Sequence, residues 1–161
     1  MYNHEPPDYD CPLCMTVRGE DQPDPWTKAS DVFYRDDRAV AWINQRWWGS
    51  IEGNAIVIPA VHYENIFDLP DDAAAAIHNL SRRIAIAMME TYGCTGISTR
   101  QHNGPDGNQE VWHYHVHVFP RWRDDRLYER NADFRWATPD ERAPYAEKLR
   151  NCLRSKTANR F

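Results

Sequence analysis

The 161-residue chain carries 24 acidic and 19 basic side chains, a formal charge of −5 at pH 7. That balance argues against a general affinity for nucleic acid or an anionic membrane, and no apolar run approaches the roughly 20 residues of a membrane span. The length fits one domain with a proper hydrophobic core.

The N-terminus, Met1-Tyr2-Asn3-His4-Glu5-Pro6-Pro7, lacks the charged-then-apolar pattern of a secretion signal, so the chain reads as cytoplasmic. In that setting the four cysteines are expected as thiols or metal ligands, not disulfides. Residues 1–9 read as a mobile or loosely docked tail. Cys11 and Cys14 follow in a Cys-x-x-Cys spacing, a weak zinc signal by itself. Residues 15–30 carry Pro23 and Pro25 and read as a loop.

Asp31–Arg35 and Ala39–Asn44 read as two strands of a hairpin turned by Asp36-Asp37-Arg38. The loop 45–53 holds the pair Trp47-Trp48, which reads either as a stacking wall for a base or as a hydrophobic plug or dimer contact. Asn54–Ile58 is a third strand, closed by Pro59. Residues 70–92 form the clearest helix. Pro70, Asp71 and Asp72 suit its first turn, Ile77, Leu80, Ile84 and Met88 recur at helical spacing, and Gly93 marks the stop. Ile97–Gln101 is a fourth strand and 111–119 a fifth. A last helix spans 139–154 after Thr138-Pro139. Cys94 and Cys152 read as buried thiols. Together these make an α+β domain: an antiparallel sheet of about five strands with one long helix and a C-terminal helix.

The fifth strand holds the chemistry. His113, His115 and His117 stand at alternate positions, and a strand places alternate residues on one face. Trp112, Tyr114, Val116 and Val118 would then enter the core. At about 3.3 Å per residue, His113 and His117 lie about 13 Å apart, too far for one zinc with bonds of about 2.0 Å to take all three. Two could share a metal with an outside ligand. A chain of phosphates is long enough to meet several, and imidazole is a nucleophile and acid/base group near neutral pH. The turn-rich loop Asn103–Glu110 feeds the strand and offers backbone N–H groups to an anion. Arg121 adds a cation beyond it.

The run Gln109-Glu110-Val111-Trp112-His113-Tyr114-His115-Val116-His117-Val118-Phe119-Pro120-Arg121 resembles the signature of the histidine triad superfamily. Val57-Ile58-Pro59-Ala60-Val61-His62-Tyr63-Glu64-Asn65-Ile66 is similar to a second family segment, and Asp10-Cys11-Pro12-Leu13-Cys14 to the N-terminal Cys-x-x-Cys of a bacterial branch. The resemblance covers roughly 10–121, leaving 122–161 as a C-terminal extension packed on the same domain, with Trp122, Arg123, Arg126 and Arg130 at its start.

The resemblance implies a nucleotide hydrolase or transferase, commonly a symmetric homodimer, acting at the α-phosphate. Its substrate would be a dinucleoside polyphosphate, a nucleoside phosphoramidate or an adenylate. It makes His115 the nucleophile and gives His117 to the phosphate or leaving group. It places Asn44 near the ribose, and His102, Asn103, Gln109 and Glu110 around the substrate. It completes a structural zinc site from Cys11, Cys14, His62 and His113, and requires no catalytic metal. Three positions depart from the family pattern: Asn54 stands where many members have His, His102 where Asn or Gln is usual, and Asn108 in place of a glycine. Two rival readings are a nucleotide-binding regulatory module with structural zinc and little turnover, and a hydrolase with a catalytic metal on two of the histidines.

Overall fold

The computed structural model describes residues 2–129 and 134–158. In chain order the elements are α1 (Pro12–Arg18), β1 (Val32–Arg35), β2 (Ala39–Ile43), β3 (Arg46–Trp48), β4 (Ala55–Pro59), α2 (Asp71–Thr91), β5 (Gly96–Gln101), β6 (Val116–Arg121), β7 (Phe134–Trp136) and α3 (Pro139–Ala158). Five strands form one sheet in the order β1-β2-β4-β6-β5, with every pairing antiparallel. The class is α+β, as the sequence predicts. Among the described residues no helix is long and apolar enough to cross a membrane.

The sheet is covered on both faces. Ala41, Ile43, Val57 and Val118 pack under Ile77, Leu80, Ile84 and Met88 of α2 and Leu149 of α3. On the other face Val40, Trp42, Ile56 and Ile58 meet Cys11 and Leu13 at the start of α1. β2 and β4 are therefore buried along their whole length. This explains why Ala-Val-Ala-Trp-Ile and Ala-Ile-Val-Ile-Pro show no polar alternation.

Four segments differ from expectation. The loop read over 15–30 opens instead on the end of α1. Pro12 starts this helix, and Gly19, at φ 80°, ends it in the left-handed region while its N–H caps two carbonyls. The loop 45–53 contains β3, which pairs with β7 as a second, two-stranded sheet. The strand read over 111–119 begins only at Val116. Before it, His113 N–H turns back to Val111 O (2.9 Å) and Tyr114 N–H reaches Tyr63 O (2.6 Å), so the chain has not yet joined the ladder. Tyr114, Val116 and Val118 enter the core, whereas Trp112 stays half-buried beside His4. Finally, Cys94 is buried, but Cys152 is half-buried and bonds Glu90 at the surface.

α2 starts one residue later than read, with Pro70 extended ahead of it, and Gly93 takes φ +69° just past its end. α3 opens on a reciprocal cap: Glu141 N–H donates to Thr138 Oγ1 (3.3 Å) and Thr138 N–H to Glu141 Oε2 (2.7 Å). It runs four residues past the predicted end.

One buried ion pair pins α3. Arg142 donates to Asp31 Oδ1 (2.9 Å) and to the carbonyls of Ala137 (2.5 Å) and Trp26 (3.2 Å), with both charged side chains out of solvent. Replacing Arg142 by Met leaves a buried carboxylate without its cation. The expected loss is about 3–5 kcal/mol, read as a lower urea midpoint at unchanged slope. A loss under about 1 kcal/mol would show that the pair is dispensable.

The N-terminal segment is exposed but tethered. Glu64 accepts the backbone N–H groups of His4 (2.6 Å) and Glu5 (3.2 Å), and Asn65 donates to Tyr2 O (3.0 Å). The Glu-Asn pair of the second family-like segment thus serves as a hook for the chain's own start.

Candidate active site and metal centre

The antiparallel register of β6 against β4 and β5 sets His117 on the face away from α2. A cavity of about 210 Å³ opens there. Its lining combines apolar Leu13, Trp42, Ile56 and Val111 with polar His115, His117, Asn44, His102, Glu110, Arg46 and Arg100.

His115 Nδ1 lies 2.7 Å from His113 O. A carbonyl only accepts, so Nδ1 carries the proton and Nε2 keeps its lone pair. Burial pushes the His115 pKa below the usual histidine value, opposed by that hydrogen bond, and the ring is neutral at pH 7. His117 lies beside it, with ring centroids 5.2 Å apart, stacked on Phe119 at 5.7 Å. Burial above all, then His115, His102 and Arg100, holds His117 well below its usual pKa. Its Nδ1 is buried without a hydrogen-bond partner among the described residues. Such an orphan costs free energy unless a ligand meets it.

The other predicted residues divide. Asn44 is buried at the cavity wall and donates to Asn54 Oδ1 (2.9 Å). His102 lines the cavity with Nδ1 bound to Gly107 O (2.7 Å). Glu110 lines it too, paired with Arg46 (2.7 Å). Asn103 and Gln109 do not reach it. Asn103 accepts from Ile66 N–H (2.8 Å) and exchanges bonds with Gln101, while Gln109 joins Gly104 N–H (2.9 Å) to Glu64 O (2.6 Å). Both shape the loop that feeds the histidines. The tryptophans split as well: Trp47 is buried and donates to Asn44 O (2.7 Å), whereas Trp48 forms cavity wall against His117 and Phe119.

Two departures acquire reasons. Asn108 takes φ +62°, the left-handed region that glycine fills freely and Asn tolerates. Asn54 is fully buried, donates to Arg46 O (2.9 Å) and buttresses Asn44, so it is not a cavity group at all. Arg46 and Arg100 carry no role in the sequence reading. Arg46 sits in a segment read as loop. Arg100 faces the cavity only because the β5–β6 register sets it opposite His117. Arg123 and Arg126 are absent from the cavity lining, and Arg130 falls outside the described residues.

Cys11, Cys14, His62 and His113 gather with their ligand atoms within 4.8 Å of one another. Cys11 Sγ–His113 Nδ1 is 3.5 Å, Cys14 Sγ–His62 Nδ1 3.3 Å and Cys14 Sγ–His113 Nδ1 3.6 Å. A tetrahedral zinc with bonds of about 2.3 Å to sulfur and 2.0 Å to nitrogen sets those atoms about 3.5 Å apart. The outer nitrogens are held too, His113 Nε2 by Pro59 O (3.2 Å) and His62 Nε2 by Glu5 (2.8 Å), as ligating histidines require. Burial, with His62 adding to it, pushes His113 down to about 3, and burial pushes the Cys11 thiol up to about 12. A neutral imidazole and a thiol awaiting a cation are the donor states such a site starts from. The residues fit the metal.

The HIT domain family profile matches residues 27–124. The chain belongs to the HIT domain family. The HIT fold extends to solved structures: a Zn-bound histidine triad family protein from Mycobacterium smegmatis superposes with a TM-score of 0.73 at 26% identity, covering 92% of this chain and 96% of the other. Among curated HIT relatives, the adenosine 5′-monophosphoramidase HNT1 of Saccharomyces cerevisiae is 36% identical over 76 residues, 47% of this chain and 44% of its own. The adenylylsulfatase HINT3 of Arabidopsis thaliana is 27% identical over 119 residues, 74% of this chain and 56% of its own.

Proposed function

We propose that this HIT-domain protein is a nucleotide hydrolase or transferase that acts at the α-phosphate through a nucleotidyl-histidine on His115. The observation that carries the reading is the His115 Nδ1–His113 O bond of 2.7 Å, which leaves Nε2 unprotonated beside the cavity. In the first step Nε2 attacks phosphorus, the N–P bond forms and the bond to the leaving group breaks with its electron pair. Water then opens the N–P bond and releases a nucleoside monophosphate; another acceptor in place of water makes the reaction a transfer. His117 donates to a phosphate oxygen through the nitrogen that has no partner among the described residues. Asn44 meets the ribose, and the apolar side chains of the lining take the base. The relatives' sulfatase and phosphoramidase activities are chemistries of this kind.

Cys11, Cys14, His62 and His113 would hold a structural zinc, which would tie the N-terminal segment to His113, two residues ahead of the nucleophile. The reading also includes a symmetric homodimer and a cytoplasmic setting. β5 ends the sheet, and among the described residues its outer edge is unpaired.

The test is to trap the intermediate. Protein mixed with a nucleotide substrate and denatured rapidly in base is expected to carry the nucleotidyl mass on the peptide containing His115. An adduct on a different histidine would move the nucleophile. Tight nucleotide binding with no adduct and no turnover would favour the regulatory module instead.

A further inference from the structure

A bond cleaved at the α-phosphate releases either an anion or an amine, and the wall beside His117 bears on which. Arg100 of β5 pairs directly with His117 of β6, so the two side chains share a face of the sheet. Both line the cavity. The Arg100 guanidinium carbon lies 5.1 Å from the ring centres of both Phe119 and Tyr128, and Phe119 is the ring stacked on His117. The planar cation is thus held by aromatic surface at the end of the triad. Arg100 also donates through Nη2 to Leu127 O (3.5 Å), and the other arginine of the cavity, Arg46, pairs with Glu110 at 2.7 Å. The charge of Arg100 reaches the His117 ring and opposes its protonation.

We propose that Arg100 determines leaving-group specificity, binding a phosphate, polyphosphate or sulfate joined to the α-phosphate through an anhydride oxygen and selecting against amines joined by a P–N bond. This rests on the reading of the site as a nucleotidyl-histidine centre. As the His115 N–P bond forms, the anhydride P–O bond breaks and its electron pair stays on the departing oxygen. That oxygen belongs to a good leaving group and needs no proton. The charge growing on it meets a guanidinium suited to bidentate contact with an oxyanion. An amine must gain a proton before it departs, and a fixed cation alongside raises the cost of that proton.

The experiment compares diadenosine triphosphate with adenosine 5′-phosphoramidate in the wild type, Arg100→Met and Arg100→Lys. The ratio of kcat/KM for the triphosphate over the phosphoramidate is expected to fall about 100-fold in Arg100→Met. Arg100→Lys, which keeps the charge, recovers part of it. A second readout needs no turnover: in a His115→Asn background, adenosine diphosphate is expected to bind about tenfold tighter than adenosine monophosphate, and Arg100→Met abolishes that difference. An unchanged kcat/KM ratio in Arg100→Met, with equal loss on both substrates, overturns the inference and leaves Arg100 a structural residue. Diphosphate binding no tighter than monophosphate in the Arg100-containing protein also overturns it, whatever the variants do. If neither substrate turns over but the diphosphate preference exists and depends on Arg100, the anion subsite stands and the enzymatic reading falls.

Discussion

His115→Ala is expected to lower kcat by at least about three orders of magnitude while nucleotide still binds. The size follows from what alanine removes. His115 is the ring whose tautomer is set by a carbonyl and whose second nitrogen is left for the cavity. No neighbour substitutes for it. His102 spends Nδ1 on Gly107 O, and His117 is stacked on Phe119 with its centroid 5.2 Å away from His115. The base and ribose contacts lie elsewhere, on Trp42, Ile56 and Asn44 in this reading, so affinity survives. Groups that act as one unit are not additive. Adding His117→Ala to His115→Ala should therefore cost far less than His117→Ala costs alone. The check is single-turnover kinetics with calorimetric binding of the product monophosphate. Turnover within tenfold of the wild type in His115→Ala would remove the nucleophile assignment.

The fold was legible where the code is local. α2 has helical periodicity with acidic residues at one end and glycine at the other, and the hairpin strands are short apolar runs around a turn. What escaped was short or depended on distant partners. α1 has only seven residues, too few for a helical period to stand out, and its signals are confined to Pro12 and Gly19 at its ends. β3 is a strand because β7 lies beside it almost ninety residues later, and no local pattern announces such a pairing.

The site was legible to the same degree. The spacing of the histidines marks the segment that reaches both clusters, but not its local structure. Period two predicts one strand for all three, yet His113 and His115 both lie before it; His113 turns to the cysteines, while His115 and His117 turn to the cavity. Of the residues expected around the substrate, those facing the cavity were separated from those shaping its loop only by hydrogen bonds. Gln109 and Asn103 have the right chemistry for a ligand and spend it on backbone groups nearby. Arg100 shows the converse. Nothing around it in the sequence marks it, and only strand register brings it to His117.

The backbone at His113 links the two centres, and the second large effect should appear there. Purified protein is expected to carry about one zinc per chain on Cys11, Cys14, His62 and His113. Cys11→Ser, or prolonged chelation, should lower the thermal midpoint by about 6–12 °C, equivalent to about 3 kcal/mol or more for a domain of this size. His113 is the reason the consequence spreads. Its Nδ1 faces both cysteines, its Nε2 is bound to Pro59 O, and its own carbonyl accepts the hydrogen bond from His115 Nδ1–H. Loosening that residue frees the His115 ring to turn, so kcat should fall by a larger factor than the stability loss explains at a temperature where the protein stays folded. The thiols must lose protons to bind the ion, and burial holds Cys11 at about 12 without one, so zinc retention should weaken as pH falls. Metal analysis, thermal unfolding and kcat measured on the same samples decide it. A protein free of zinc whose Cys11→Ser variant melts at the same temperature would remove the metal from the account, and with it the link between the cysteine cluster and the nucleophile.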